Sequence, residues 1–203
     1  MREEIKIKIL ENLLEEITKR YDYFISKQEE KYKETYEKAV KDSLTGLYNR
    51  FYFLDTLRRS IIRTKRKRKR EKVFIIFVDL DNFKPINDYF GHIEGDKVLK
   101  EVAKILKENF REYDIVSRFG GDEFLVLFVG EELPIDRVEK IKKIVEDKFK
   151  KYHLSFSYGI SVYPDDIKEK NLYTDNIIKK LLKIADERMY KMKEEKKEKS
   201  RNT

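Results

Sequence analysis

The chain has 203 residues, of which 40% are hydrophobic and 42% are charged, enough for the core of one domain plus an extension but too highly charged for a bare globule. Cysteine is absent, which excludes disulfides and thiolate metal sites, so a metal would bind oxygen ligands or one of the two histidines, His92 and His153. The net charge of +8 is compatible with nucleic acid, an anionic membrane surface or a phosphorylated small molecule as partner.

One long helix is predicted for residues 1–41, because this segment contains no Pro or Gly and carries dense charges of both signs. Their apolar side chains alternate steps of three and four, the spacing of a coiled-coil seam: Ile7, Leu10, Leu14, Ile17, Tyr21 and Phe24. The register shifts near Gln28. We predict that this segment pairs with a second copy for dimerisation or signalling; the alternative is a helix that lies along its own domain.

The rest of the chain alternates helical and strand patterns. A turn at residues 42–46 ends the first helix, and residues 73–78 are apolar on both faces, which predicts a buried central strand. The remaining predicted elements are helices to about residue 63, at 93–110, at 135–150 and from 174, with strands at 115–119, 124–128 and 154–162. This order predicts an α/β sandwich with a mixed sheet.

Basic residues are concentrated at positions 63–70, where all but one residue is Lys or Arg. A solvated loop is the preferred interpretation and a binding patch the alternative, so no nucleic-acid partner is expected. The longest apolar run, residues 73–78, is far too short to span a bilayer, and no cleavable signal pattern opens the chain. We therefore expect a cytoplasmic protein without a membrane span.

Two acidic clusters each lie at the end of an apolar strand. Asp79 and Asp81 follow the buried strand, and Asp122 and Glu123 lie in the hairpin turn after a glycine pair. Neighbouring carboxylates repel unless a cation neutralises them, and oxygen-only ligation suits Mg²⁺, which takes phosphate oxygens as further ligands. Glycines let a bulky phosphate approach the backbone. Together the clusters predict a nucleotide–metal site; either cluster alone would be explained by helix caps or turn residues.

Five segments, in this order, resemble the GGDEF-domain diguanylate cyclases. They are residues 42–50, 79–84, 87–92, 95–96 and 118–124, and the last contains Gly120, Gly121, Asp122, Glu123 and Phe124 in succession. The resemblance implies a nucleotide-cyclase fold similar to the polymerase palm, with a central mixed, mainly antiparallel sheet flanked by helices and preceded by the long N-terminal helix. It places the domain at residues 42–195 and a charged tail at residues 196–203.

The resemblance also implies an enzyme that condenses two GTP molecules into cyclic di-GMP and two pyrophosphates, with Mg²⁺ as cofactor and Mn²⁺ as a substitute. Each domain of a homodimer would bind one GTP. Asp79 and Asp122 would bind the metal through carboxylates and Leu80 through its carbonyl oxygen. Glu123 would assist a second metal or the attacking hydroxyl, so Asp122 and Glu123 are the catalytic candidates.

Substrate contacts are implied in the same way. Asn87 and Asp96 would read the guanine edge, since a carboxylate accepts from the N1 and N2 donors that guanine has and adenine lacks. His92, between them, is a further candidate contact; the alternative is a histidine packed after a Gly turn. The terminal phosphates would be held by Lys84, the backbone of Phe83, Lys193 and Lys197.

The last helix departs from the family's pattern. Family members usually end it with a lysine, a short step and then Gly-Arg-Asn, whereas the six residues after Lys193 are all Lys or Glu. We predict that the helix continues past Lys193, and Lys197 is the second phosphate cation by spacing alone.

Arg111 and Asp114, shortly before the Gly-Gly turn, match the residue types and spacing of the family's inhibitory site for its product. They predict feedback inhibition by cyclic di-GMP; the alternative is a helix-to-strand linker with an incidental ion pair. Two other functions remain open. A catalytically silent member would sense GTP or cyclic di-GMP, although this chain keeps every acidic residue of the turn. A scaffold that binds a partner or nucleic acid would leave the paired carboxylates unexplained.

Overall fold

A computed structural model of the protein describes residues 1–66, 71–132, 135–169 and 172–201. Part of the basic run, residues 67–70, lies outside the described residues, as do residues 202 and 203 of the predicted tail. The chain divides into two units, Met1–Val40 and Lys41–Thr203. None of the helices in the described ranges has an apolar stretch of the length and hydropathy needed to cross a bilayer.

The first unit is one uninterrupted α-helix, α1, at Arg2–Val40. Ion pairs one turn apart support it, such as Glu15 with Lys19 at 2.6 Å and Glu16 with Arg20 at 2.7 Å. The helix does not break where the apolar register shifts, because no Gly or Pro interrupts it. The predicted seam is exposed in the single chain; Leu14, for example, is 66% exposed.

The second unit is a five-stranded sheet with helices on both faces. The strands are β1 (Tyr48–Asn49), β2 (Lys72–Asp81), β3 (Ile115–Gly120), β4 (Glu123–Gly130) and β5 (Ser155–Tyr163). The helices are α2 (Arg50–Arg66), α3 (Phe83–Phe90), α4 (His92–Asn109), α5 (Ile135–Lys148) and α6 (Thr174–Arg201), with a 3₁₀ turn at Lys150–Tyr152. The strand order is β1-β3-β4-β2-β5, and among the described strands only the β1–β3 pair is parallel. The predicted mixed, mainly antiparallel sheet is confirmed.

The central strand β2 is buried on both faces, as its sequence predicts. Ile76 and Val78 belong to a core shared with α3, α4 and α5. Ile75 and Phe77 point to the opposite face and pack in a core shared with α2 and α6. Because both faces are covered, β2 and its neighbours hold the catalytic candidates rigidly at the end of the central strands.

Two local predictions differ from the structure. Strand β2 continues through Asp81, so Asp79 and Asp81 lie within the strand rather than after it. The alternative that they cap the next helix is wrong, because the N-cap of α3 is Asn82, which adopts φ 63° and makes no side-chain cap bond. Helix α3 has no counterpart among the predicted elements, since its eight residues bury only Phe83 and Ile86, too few for a periodic signal.

Helix α6 crosses β5 at Gly159. A Cβ on this residue would lie 2.0 Å from the carbonyl oxygen of Ala185 and 2.3 Å from the backbone nitrogen of Met189. Only glycine permits this approach of helix to strand. Beyond the crossing α6 continues past Lys193 to Arg201, so its last turns lie beside the end of β2.

Candidate active site

Three acidic residues meet where β2 ends and the β3–β4 turn begins. Asp79 on β2 and Glu123 on β4 are directly opposed in the antiparallel ladder, so their side chains leave the same face of the sheet. Asp122 precedes Glu123 in the turn, and its carbonyl oxygen accepts a hydrogen bond from the Leu80 N–H at 3.3 Å. The structure therefore brings together the four residues that the sequence assigns to the metal and to catalysis.

The turn is braced from outside by Arg118. Its Nε donates to the carbonyl oxygen of Gly121 at 2.9 Å, and its Nη1 contacts the carboxylate of Asp42 at 3.3 and 3.4 Å. Asp42 in turn accepts bonds from the backbone and hydroxyl of Thr45. Gly121 has a φ of 49°, a conformation that favours glycine. The acidic turn is thus held by an ion pair to the segment that follows α1 in sequence.

Electrostatic strain is concentrated in this cluster. Burial raises the pKa of Asp79; the ion pair with Lys193 opposes the rise, and the charges of Asp122 and Asp81 add to it. Burial also raises the pKa of Glu123, and the charges of Asp79 and Asp122 raise it further. A cation bound among these oxygens would relieve the repulsion.

The donor set fits a hard divalent cation. Within the described part of the chain, no group of three or more Asp, Glu or His side chains is arranged to hold a metal by side chains alone. The two predicted carboxylates, Asp79 and Asp122, with the Leu80 carbonyl would leave the remaining positions to water and phosphate. Mg²⁺ binds in this way, because it dehydrates reluctantly and keeps several water ligands.

A cleft of about 790 Å³ opens next to the carboxylates. Leu80 and Asp122 line it. So do the residues predicted to hold phosphates: Phe83, Lys84, Lys193 and Lys197. The Lys193 ammonium lies 2.5 Å from Oδ1 of Asp79, so α6 reaches the end of β2. The cleft combines positive charge with the acidic cluster, as binding of a metal–polyphosphate requires.

The predicted guanine readers form a second group at the α3–α4 corner. Asn87 on α3 is partly buried, whereas His92 and Asp96 on α4 are exposed, so His92 is not a packed histidine. A Cβ on Gly95 would lie 1.9 Å from Oδ1 of Asn87. The Asn87 amide therefore lies against Gly95, next to Asp96, and the Gly91 N–H donates to the Asn87 carbonyl oxygen at 3.0 Å.

Arg111 and Asp114 line a separate cavity of about 410 Å³. Asp114 is only 4% exposed; its Oδ2 accepts from the Arg111 N–H at 2.9 Å and lies 3.8 Å from Nη1 of Arg137. Burial raises the pKa of Asp114, and these two partners oppose the rise. Among the described residues, Oδ1 of Asp114 and Nη1 of Arg137 have no hydrogen-bond partner. Arg111 is exposed and donates to the Tyr113 hydroxyl at 2.7 Å.

Residues 39–199 match the family described as "Diguanylate cyclase, GGDEF domain". The chain belongs to this family. Diguanylate cyclase A of Treponema denticola is 33% identical over 166 residues, covering 78% of this chain and 43% of that protein. Diguanylate cyclase DgcS of Shewanella oneidensis is 43% identical over 99 residues, covering 49% of this chain and 33% of that protein. The chain thus spans less than half the length of these curated relatives.

Solved structures of GGDEF domains share the fold. The GGDEF domain of TpbB from Pseudomonas aeruginosa superposes with a TM-score of 0.61 at 32% identity, covering 76% of this chain and 89% of that chain. The coiled coil and GGDEF domain of DgcB from Caulobacter crescentus, solved with c-di-GMP, gives a TM-score of 0.71 at 22% identity, covering 89% and 94%. At that identity the second match shows the fold alone.

Sequence reasoning missed an ion pair and a lysine that contribute to this site. Arg118 and Asp42 lie in segments that resemble the family, yet nothing in their spacing shows that they pair across the fold. Lys196 falls in the predicted tail but lines the cleft. Its position three residues after Lys193 on one helix was the available signal, because residues at that spacing share a face.

Proposed function

We propose that this protein is a diguanylate cyclase, a nucleotidyltransferase that condenses two GTP molecules into cyclic di-GMP and releases two pyrophosphates. One observation carries the proposal: Asp79 and Glu123 face each other across the β2–β4 ladder, beside Asp122 and a lysine-lined cleft. Membership of the GGDEF family supports it.

Asp79, Asp122 and the carbonyl oxygen of Leu80 hold Mg²⁺ in this proposal, and Mn²⁺ accepts the same oxygen donors. When bound, the metal lowers the pKa of the attacking hydroxyl and stabilises charge on the phosphoryl oxygens. Glu123 completes the negative cluster from the opposing strand and orients the hydroxyl or a second metal. No covalent enzyme intermediate is needed, because the nucleophile belongs to the substrate.

The cleft orients the triphosphate. Lys84 at the start of α3 and Lys193 and Lys197 on α6 line it from two sides, and charge-assisted contacts from several lysines fix the phosphates more firmly than one would. The backbone at Phe83 lies at the same wall. Lys193 already reaches Asp79, which places its charge at the boundary between the acidic cluster and the phosphates.

Guanine recognition belongs to the α3–α4 corner. The Asp96 carboxylate accepts from the guanine N1 and N2 donors, and the Asn87 amide pairs with the same edge. Asn87 lies against Gly95, which directly precedes Asp96 on α4. His92, exposed at the first position of α4, supplies a further polar contact to the substrate.

A homodimer completes the reaction, since each GGDEF domain binds one GTP and each 3′-hydroxyl must reach the other α-phosphate. The exposed apolar seam of α1 has the coiled-coil spacing that pairs two copies. Tethering two domains raises their effective concentration. The solved DgcB structure also contains a coiled coil next to its GGDEF domain.

Product feedback is the proposed role of the cavity at Arg111 and Asp114. Its exposed guanidinium and buried carboxylate provide a donor fork for phosphate and an acceptor for guanine. Arg111→Ala is expected to shift inhibition by cyclic di-GMP to concentrations about tenfold higher or more. Initial rates of wild-type protein that do not change with added cyclic di-GMP would contradict feedback at this cavity.

The decisive experiment starts from protein stripped of bound nucleotide. Purified protein is incubated with GTP and Mg²⁺ at concentrations where it is dimeric, and cyclic di-GMP and pyrophosphate are followed by chromatography. Asp122→Asn should abolish product, whereas Asp147→Asn, at an exposed position on α5, should not. Binding of GTP or cyclic di-GMP without turnover would instead indicate a catalytically silent sensor.

A further inference from the structure

Lys196 lies on the cleft wall, three residues beyond Lys193 on α6. Its ammonium donates to Oδ2 of Asp81 at 2.6 Å, to the carbonyl oxygen of Phe156 at 2.7 Å and to the Ser155 hydroxyl at 3.5 Å. These partners are the last residue of β2 and the first two residues of β5. An ammonium has three donors, and here all three are directed at protein atoms.

Asp81 is the other half of this contact. Its side chain is 17% exposed, and both of its carboxylate oxygens also accept from the Ser157 hydroxyl, at 3.0 and 2.9 Å. Asp81 lines the same cleft as Lys84, Lys193 and Lys197. Its charge therefore faces the space in which we place the substrate phosphates, where an unpaired carboxylate would repel them.

We propose that Lys196 is a positioning residue of the phosphate cleft, which acts through Asp81. It neutralises the Asp81 carboxylate on the wall of the cleft and fastens the end of β2 to β5. Lys196 does so without touching the substrate, because its donors are already used. The inference rests on the proposed function and deepens it. It also concerns the part of α6 where this sequence departs from the family's pattern.

A charge-balance test separates action through Asp81 from direct contact with phosphate. Four proteins are compared with wild type: Lys196→Met, Asp81→Asn, the double variant, and Lys191→Met as a matched change at an exposed position of α6. Calorimetry with 3′-deoxy-GTP and Mg²⁺ measures binding without turnover, since this analogue lacks the attacking hydroxyl. Steady-state assays with GTP give KM and kcat, and thermal unfolding reports whether each variant is folded.

Lys196→Met should weaken binding of 3′-deoxy-GTP about tenfold and raise KM similarly, with kcat within about twofold, as one uncompensated charge near the phosphates predicts. Adding Asp81→Asn should restore both values to within about threefold of wild type, because the charge balance returns. Lys191→Met should bind like wild type.

A double variant that binds as weakly as Lys196→Met would overturn the inference, because Lys196 would then act on the substrate itself. Wild-type affinity in Lys196→Met would overturn it as well. Failure of the proposed function looks different: wild-type protein would neither bind 3′-deoxy-GTP nor form cyclic di-GMP. That result would remove the basis of the inference too.

Discussion

At Gly95 the absence of a side chain makes room for the Asn87 amide. A Cβ here would lie 1.9 Å from Oδ1 of Asn87 and 3.3 Å from the ring of Phe83. The first distance is shorter than any van der Waals contact, so a larger residue at position 95 would turn the Asn87 side chain away. The backbone of α4 could remain, because the displaced atoms lie at the end of a side chain and not in a helix.

Gly95→Ala should therefore raise KM for GTP about tenfold, because one well-placed polar contact to the substrate is lost. The change in kcat should be smaller. Alanine also favours the helix, so the thermal midpoint should stay close to that of wild type. Steady-state kinetics and thermal unfolding check both values, with Lys100→Ala on the exposed face of α4 as control. An unchanged KM would show that Asn87 does not bind the base.

Glu123 has a raised pKa because of burial and the nearby carboxylates. The folded protein therefore keeps this proton to a higher pH than the unfolded chain does, and the group's contribution to stability falls as pH rises from its ordinary pKa through its folded one. At neutral pH the ionised Glu123 is thus a source of instability in protein without metal.

Glu123→Gln should raise the thermal midpoint in EDTA by about 1–3 °C at pH 7–8, with little change near pH 4, while cyclase activity is lost. Added Mg²⁺ should stabilise wild type more than the variant. A fluorescence melt over this pH range measures the effect, with Glu132→Gln as an exposed control. A lower midpoint for Glu123→Gln at pH 7–8 would contradict the prediction.

At the scale of elements, the crossing of α6 and β5 links folding to the site. Gly159 allows the two backbones to touch, and the same helix then carries Lys193 and Lys196 to the acidic end of β2. A helix pushed outward at the crossing would withdraw both ammonium groups. Stability and substrate binding therefore depend on one glycine in the sheet.

Gly159→Ala should cost about 1–3 kcal/mol of unfolding free energy, because the added methyl group meets helix backbone that cannot rotate away. Chemical denaturation followed by circular dichroism measures this. Ser161→Ala on the same strand is the matched control: its buried hydroxyl has no partner among the described residues, so its loss should leave stability unchanged or higher. Equal stability of the two variants would refute the steric argument.

The main elements were predictable because their signal is local. Strand β2 is apolar on both faces, and the turn at Gly120 separates two apolar runs. Strand β1 was not predictable, because its two residues are defined by backbone pairing with distant Ser117 and Arg118 and by a bridge to Lys41. The two acidic clusters predicted a metal site from the residues themselves, and the family resemblance then assigned the individual metal ligands and the guanine contacts. The spacing of Lys196 from Lys193 indicates a shared helix face, but its partners on β2 and β5 could not be predicted, because only the fold brings them to it.

At the scale of the whole molecule, activity should depend on the pairing of two chains. The apolar seam of α1 is exposed in one chain, and its six positions keep coiled-coil spacing from Ile7 to Phe24, about five helical turns. Each GGDEF domain supplies only half of the proposed reaction. Dimer stability should therefore limit the rate at low protein concentration.

Leu14→Glu places a charge in the seam and should lower specific activity at least about tenfold at submicromolar protein, with recovery as concentration rises. Asn12→Glu, at the position of the heptad farthest from the seam, should not. Sedimentation velocity and activity measured over the same concentrations test the link. Activity of Leu14→Glu that does not vary with concentration would show that α1 is not the dimerisation element.

Within the described chain, Met189 is the last buried residue of α6, whereas the cleft lysines begin at Lys193. In the proposed function, the final turns of the helix therefore act mainly on the substrate phosphates. A protease that removed them would leave α1 intact and take away the α6 lysines of the cleft, so that Lys84 alone of the proposed phosphate lysines would remain. If such a clipped chain paired with a complete one, the dimer would lack half of its proposed active site. The clipped chain would therefore act as a dominant inhibitor.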